Sequence, residues 1–193
     1  TPLAWVLARV EIPGRRLLRA LVMLPMVLPP VVGGTALLFA LGRRGLVGQW
    51  LDAWFDLTLP FTTIGAVVAA TFVAMPFYVV AVEGALRSGH DHLEQMAGTL
   101  GARPLTVLRR ITLPRLLPAI GAGLALAWAR ALGEFGATIT FAGNLPGRTQ
   151  TLPLATFLAL ETEPEAALAL SLVMLAVSLA VLVPLRDRWI PGR

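Results

Sequence analysis

Cysteine is missing altogether, so neither a disulfide nor a thiolate metal site forms within this chain. Lysine is missing too: every basic side chain is Arg, a bias of composition rather than a mechanism. The only histidines are His90 and His92, too few for an all-histidine metal site, and the acidic residues are scattered with no metal-ligand spacing. No GxxxxGK[ST] phosphate loop is present, so any ATP hydrolysis has to come from another chain. Charge of either sign is scarce: 14% of the 193 residues are charged, against roughly 25% in soluble domains. The formal net charge of +5 does not point to nucleic acid, because the arginines flank apolar runs, as membrane topology requires.

Long uncharged runs take the place of charge. Ala20–Leu41, Gly65–Val82 and Ala166–Leu185 contain no charged residue. Each reaches or approaches the ~20 residues needed to cross ~30 Å of hydrocarbon as helix, and Leu116–Ala129 is also uncharged and continues into "ARALGEFGATITFAGN". Four spanning helices are therefore the minimum, and the fold class is all-α, a polytopic membrane bundle. The opening "TPLAWVLARV" reads as the tail of a further spanning helix and lacks the charged n-region and cleavage site of a signal peptide. About five membrane helices are expected, the first of them truncated.

Twelve arginines (Arg9 to Arg19, Arg87 to Arg115, and Arg186, Arg188 and Arg193) alternate with three (Arg43, Arg44 and Arg148) in successive connections, while Arg130 lies within a run. The positive-inside bias places the 9–19 segment, the 84–115 loop and the C-terminus in the cytoplasm. Spans are then expected at about 18–41, 62–83, 116–141 and 165–185. The outer connection 42–61 carries Trp50 and Trp54, suited to an interfacial belt. The connection 142–164, with "GNLPGRTQTLP", is too polar to lie bare in lipid. Pro25, Pro29 and Pro30 in "LPMVLPPVVGG" predict a kink or break, either as a bend in a structural helix or as a hinge. No internal repeat occurs, and residues 1–193 read as a single membrane domain.

The loop "DHLEQMAGTLGARPLTVLRRITLPRLLPAI", residues 91–120, predicts two short helices. Asp91 and Glu94 have capping-box spacing. Leu93, Met96, Ala97 and Leu100 share one helical face. Gly101 supplies a stop, Pro104 suits a first helical turn, Leu105, Leu108 and Ile111 form a second face, and Pro114 and Pro118 punctuate the start of the next span. Such a ridge suits either a membrane surface or a protein partner.

The interval from "EQMAGTLG" through nine residues to "ITLP" resembles the EAA loop of binding-protein-dependent ABC importers, E-A-A-x3-G-x9-I-x-L-P. Ala97, Gly101, Ile111, Leu113 and Pro114 match it. Gln95 stands at the motif's Glu position with Glu94 just before it, and Met96 replaces an Ala. The resemblance implies a loop that docks on a cytoplasmic ATPase. "LPMVLPPVVGG" and "RALGEFGATITFAGNLPGRTQTLP" are similar to molybdate-type permeases, relatives of the sulfate permeases, over nearly the whole chain. What this implies is a bacterial inner-membrane permease subunit for molybdate or its congener tungstate. It also implies a homodimer over an ATPase pair that binds ATP and Mg, no cofactor in this chain, and a separate extracytoplasmic binding protein. Sulfate or thiosulfate is the alternative cargo. A membrane scaffold that docks a partner but moves nothing is the alternative outside transport; an intramembrane enzyme lacks the clustered groups it would need.

A pore for a tetrahedral dianion needs hydroxyls, amide donors or arginine to replace water. Arg130, Glu134, Thr138, Phe141 and Asn144 are the pore or gate candidates, with Thr140 nearby and Arg148 to Thr151 beyond them. Thr in a spanning helix also bonds its own backbone. Arg130 and Glu134 stand four residues apart, where one helical face lets them pair, either to orient the helix or beside the translocation path. Gly121, Ala125, Ala129, Gly133 and Ala137 recur every four residues, a stripe for close packing within the subunit or, as the resemblance implies, between two copies.

Overall fold

The computed structural model describes residues 1–88 and 91–189, and the side chains of 91–92 and 184–189 fall outside that description. Eleven α-helices and no strand occur among these residues: α1 Pro2–Arg9, α2 Arg15–Val27, α3 Pro30–Leu41, α4 Gly48–Phe55, α5 Thr63–Arg87, α6 Asp91–Thr99, α7 Pro104–Val107, α8 Leu113–Leu132, α9 Gly136–Ala142, α10 Leu152–Thr162 and α11 Pro164–Trp189. A π-helical turn, Leu108–Thr112, joins α7 to α8.

The centre is α5. Its run of Ala, Val and Gly carries no charge until Glu83, and Thr62 caps it by accepting the Gly65 N–H at 3.0 Å. It packs chiefly against α8, and also against α1, α9 and α2. Two apolar clusters form along it. Ala4, Leu7, Val22, Val79, Val82, Leu86 and Leu116 close the end nearer the 84–115 loop. Leu37, Leu59, Ala69, Val73, Ala137 and Phe141 close the other. By contrast α11 packs mainly on α10 and exposes Leu168, Leu172, Leu175 and Leu179, as lipid-facing side chains do.

Three helical stretches are long and apolar enough to cross a membrane unaided: Thr63–Arg87, Pro104–Leu132 and Pro164–Val183. The first expected span is divided, as its prolines imply. Val27 ends α2, Leu28 turns to extended backbone with ψ 137°, and Pro30 opens α3. The N-terminal fragment is helical and lies on α5.

Two expectations need correcting. The span at 116–141 is not one helix: it stops at Leu132 and restarts at Gly136. The outer connections are not simple loops, since α4 occupies one and α10 the other. As expected, Pro114 stands in the first turn of α8, and Pro118 lies one turn further along. Pro114 has no N–H for the Arg110 carbonyl and crowds it; just before it the helix widens, the Leu113 N–H bonding Leu108 O five residues back, which is the π-bulge geometry.

Candidate translocation and coupling sites

The loop folds as the two apolar faces predict. Helix α6 ends in a Schellman motif: the Ala102 N–H bonds Ala97 O at 3.0 Å, and Gly101 takes φ +81°, a conformation open to Gly and costly for other residues. Pro104 is the first residue of α7. Leu93, Met96, Leu100, Leu105 and Leu108 stay exposed, Leu100 at 86%. Gln95, Leu113 and Pro114 are also exposed, while Ala97 and Ile111 are half-buried.

Glu94 does something local spacing does not reveal. Its carboxylate pairs with Arg9 at the end of α1, the Arg9 Nη2 also donating to Oε1 at 3.2 Å, and the Thr112 hydroxyl donates to Oε1 at 2.7 Å. The loop is thereby fastened to α1 and to the π turn. The capping contact expected of Asp91 lies outside the described side chains. On the same side, Glu83 is buried between Arg19 and Arg87, and Arg15 and Arg87 donate to Leu7 O, cations placed on the carbonyl end of α1.

Arg130 and Glu134 do pair, Nη1 to Oε2 at 2.8 Å, though not as neighbours on one helix. Glu134 lies past the end of α8, its N–H bonded to Ala131 O at 3.1 Å. Its other carboxylate oxygen accepts the Ala137 N–H at 2.7 Å, satisfying a first-turn donor of α9. One buried side chain thus joins both halves of the broken span.

The break sits where two helices touch. A Cβ on Gly34 would come within 2.7 Å of Thr140 Cβ and 2.9 Å of Ala137 O, and one on Gly136 within 2.7 Å of Pro30 Cβ. The glycines of "PPVVGG" and "GEFGATIT" therefore let α3 and α9 approach backbone to backbone, and the two motif stretches meet. Thr138 and Phe141 are wholly buried there, shut off from any surface in this conformation, and Asn144 is half-buried. The Thr138 hydroxyl, Asn144 Oδ1 and the Thr151 hydroxyl have no hydrogen-bond partner among the described residues, whereas Thr140 bonds Gly136 O. The following loop bonds partly to itself and partly to α5: the Leu145 N–H donates to Thr149 Oγ1 at 2.9 Å, and Arg148 O accepts from the Thr63 hydroxyl at 2.8 Å.

The small-residue stripe parts at the same break. Ala137 is buried on α9, but Gly121 and Ala125 are half-buried and Ala129 and Gly133 exposed. Nothing lies within 4 Å of a Cβ built on Gly121 or Gly133. The α8 glycine that packs inside this subunit is Gly123, against Tyr78 and Ala81.

A family model described as binding-protein-dependent transport system inner membrane component matches residues 1–190. The chain belongs to that family. As such an inner membrane component it is an all-α, multi-pass permease-type protein. Over 184 residues it is 52% identical to the molybdenum transport system permease protein ModB of Mycobacterium tuberculosis, covering 94% of this chain and 69% of that one. The ModB of Escherichia coli K12 is 45% identical over 187 residues, 97% and 82% of the two chains. A sulfate transport system permease protein, CysT of Salmonella typhimurium, is 42% identical over 181 residues, 93% and 65%.

Proposed function

We propose that this chain is the permease subunit of an ATP-driven importer carrying molybdate, or tungstate, across the bacterial cytoplasmic membrane. Cargo rests on relatives: the molybdenum permeases are 45% and 52% identical and the sulfate permease 42%. Energisation rests on one observation, an exposed apolar ridge on α6 and α7 that is continuous with the span 104–132 and fastened to α1 through Glu94. A cytoplasmic ATPase dimer seated on that ridge would move α8 and α1 together; it binds ATP and Mg, and this chain carries no cofactor. The open small-residue face of α8 suits a second copy of the chain, the anion path running between the two. Arg130 and Glu134 hold the break beside that path, with Thr138, Phe141 and Asn144 behind it. The arginine distribution supports a cytoplasmic C-terminus, which leaves the opposite face for the molybdate-binding protein.

Reconstitution with the ATPase and the binding protein tests this. Molybdate and tungstate should each stimulate ATP turnover and accumulate inside vesicles. Stimulation by sulfate alone would overturn the cargo, and an assembled complex that moves none of the three anions would favour the scaffold.

A further inference from the structure

At the elbow between α1 and α2 the surface opens into a recess of about 320 Å³ lined by Arg15, Arg16, Arg19 and Arg87. It adjoins a second, about 520 Å³, lined by Glu11, Ile12, Gly14, Arg15, Arg16 and Leu17. Four guanidinium groups thus face two carboxylates. Glu83 is taken by Arg19 and Arg87, and Arg15 is held by the carbonyls of Leu7 and Ala8. Arg16 is exposed and makes no hydrogen bond or ion pair among the described residues. The surplus is positive at the end of a membrane bundle, at the depth of lipid headgroups, where a planar guanidinium matches a phosphate.

A second feature bears on which phosphate would suit it. Leu17, Leu21 and Leu24, spaced four and three residues apart on α2, are all exposed. They form one apolar stripe that starts at the second, adjoining recess, which Leu17 lines, and runs away along the helix. A free anion has no use for such a stripe; an acyl chain does.

We propose that this elbow is a binding site for an acidic phospholipid, its headgroup phosphate among Arg15, Arg16, Arg19 and Arg87 and one acyl chain along Leu17, Leu21 and Leu24. Basic pockets between membrane helices are recognised sites for anionic headgroups. Because Arg87 and Arg15 also grip the end of α1, and Arg9 on that helix holds the coupling loop, a bound lipid would brace the same corner of the protein.

The full permease assembly in phosphatidylcholine nanodiscs should be exposed to phosphatidylglycerol bearing a photoreactive acyl chain, and the labelled peptides mapped. Labelling should concentrate on residues 15–28 and exceed that from the matching phosphatidylcholine probe. It should fall about five-fold in Arg16→Gln, the effect of one arginine near an anionic surface, and further in Arg16→Glu. Arg16 is exposed, so both variants should insert normally, and labelling of α11 serves as the internal control. Equal labelling by both probes, unchanged labelling in both variants, or displacement by inorganic phosphate as effective as displacement by excess phosphatidylglycerol would each overturn the proposal. No cargo or ATP turnover enters the measurement, so its failure would leave the transport reading standing.

Discussion

Replacing Glu134 by glutamine separates two things that this side chain does. The carboxylate is almost fully buried, 2% exposed, with one oxygen on the Ala137 N–H and the other on Arg130. Glutamine keeps an acceptor for Ala137 but turns amide donors toward a guanidinium. Removing one partner of a buried pair costs about 3–5 kcal/mol. The Arg130 side chain is 29% exposed, so water offsets part of this, and a loss of about 2–3 kcal/mol is expected. Alanine also removes the cap, adding about 1 kcal/mol. The variant Arg130→Met with Glu134→Gln leaves no uncompensated charge and should be more stable than Glu134→Gln alone. Unfolding of wild type, Glu134→Gln, Arg130→Met alone and the double variant in mixed detergent and SDS micelles would close the cycle, and cargo uptake per folded molecule would be followed alongside. If Glu134→Gln unfolds like wild type, or the double variant costs the sum of its two single changes, the ion pair does not hold the break and the reasoning fails. Uptake that falls further than stability would place the pair at the gate; poor expression with normal uptake per molecule would confine it to architecture.

Gly101→Pro cannot adopt φ +81°, so coupled transport and ATPase assembly should be lost while membrane insertion persists; normal coupled uptake would refute a docking role for α6 and α7. Glu94→Gln weakens the tie to Arg9 by about 1–3 kcal/mol and should raise the ATP hydrolysed per anion imported, a ratio measured in proteoliposomes. Gly34→Ala places a methyl 2.7 Å from Thr140 Cβ and should cost about 1–3 kcal/mol by overpacking, detected as a lower thermal midpoint. Gly133→Ala meets open space in one subunit, so any marked effect on crosslinking between copies would locate a partner on that face.

The sequence made the long spans plain because nothing in them competes: α5 and α11 are uninterrupted apolar helices close to their expected bounds. The proline break between α2 and α3 was equally legible, since Pro29 and Pro30 act locally. What could not be read depends on contacts distant in the chain. "GEFG" looks like part of a small-residue stripe, but Gly136 is committed to Pro30 and Ala137 to Gly34, more than 100 residues earlier. Glu94 suited a local cap, yet its partner Arg9 is 85 residues away. Pro114 marked the start of a span because its lost N–H is visible in sequence, while the widened turn just before it is not. For Arg130 and Glu134, pairing followed from spacing, but the role of Glu134 as a splice between two helices had only its flanking glycines as a signal.

The π turn has an evolutionary consequence. An α-helix advances about 100° per residue, and the wide turn at Leu108–Thr112 already absorbs one extra residue, so inserting a further residue there would swing everything before it through that angle around the axis of α8. Glu94 would leave Arg9 and Thr112, and the leucine ridge would point elsewhere. The interval between Gly101 and Pro114 therefore behaves like the keyway of a shaft: it has no room to grow, because added length there is a change of orientation.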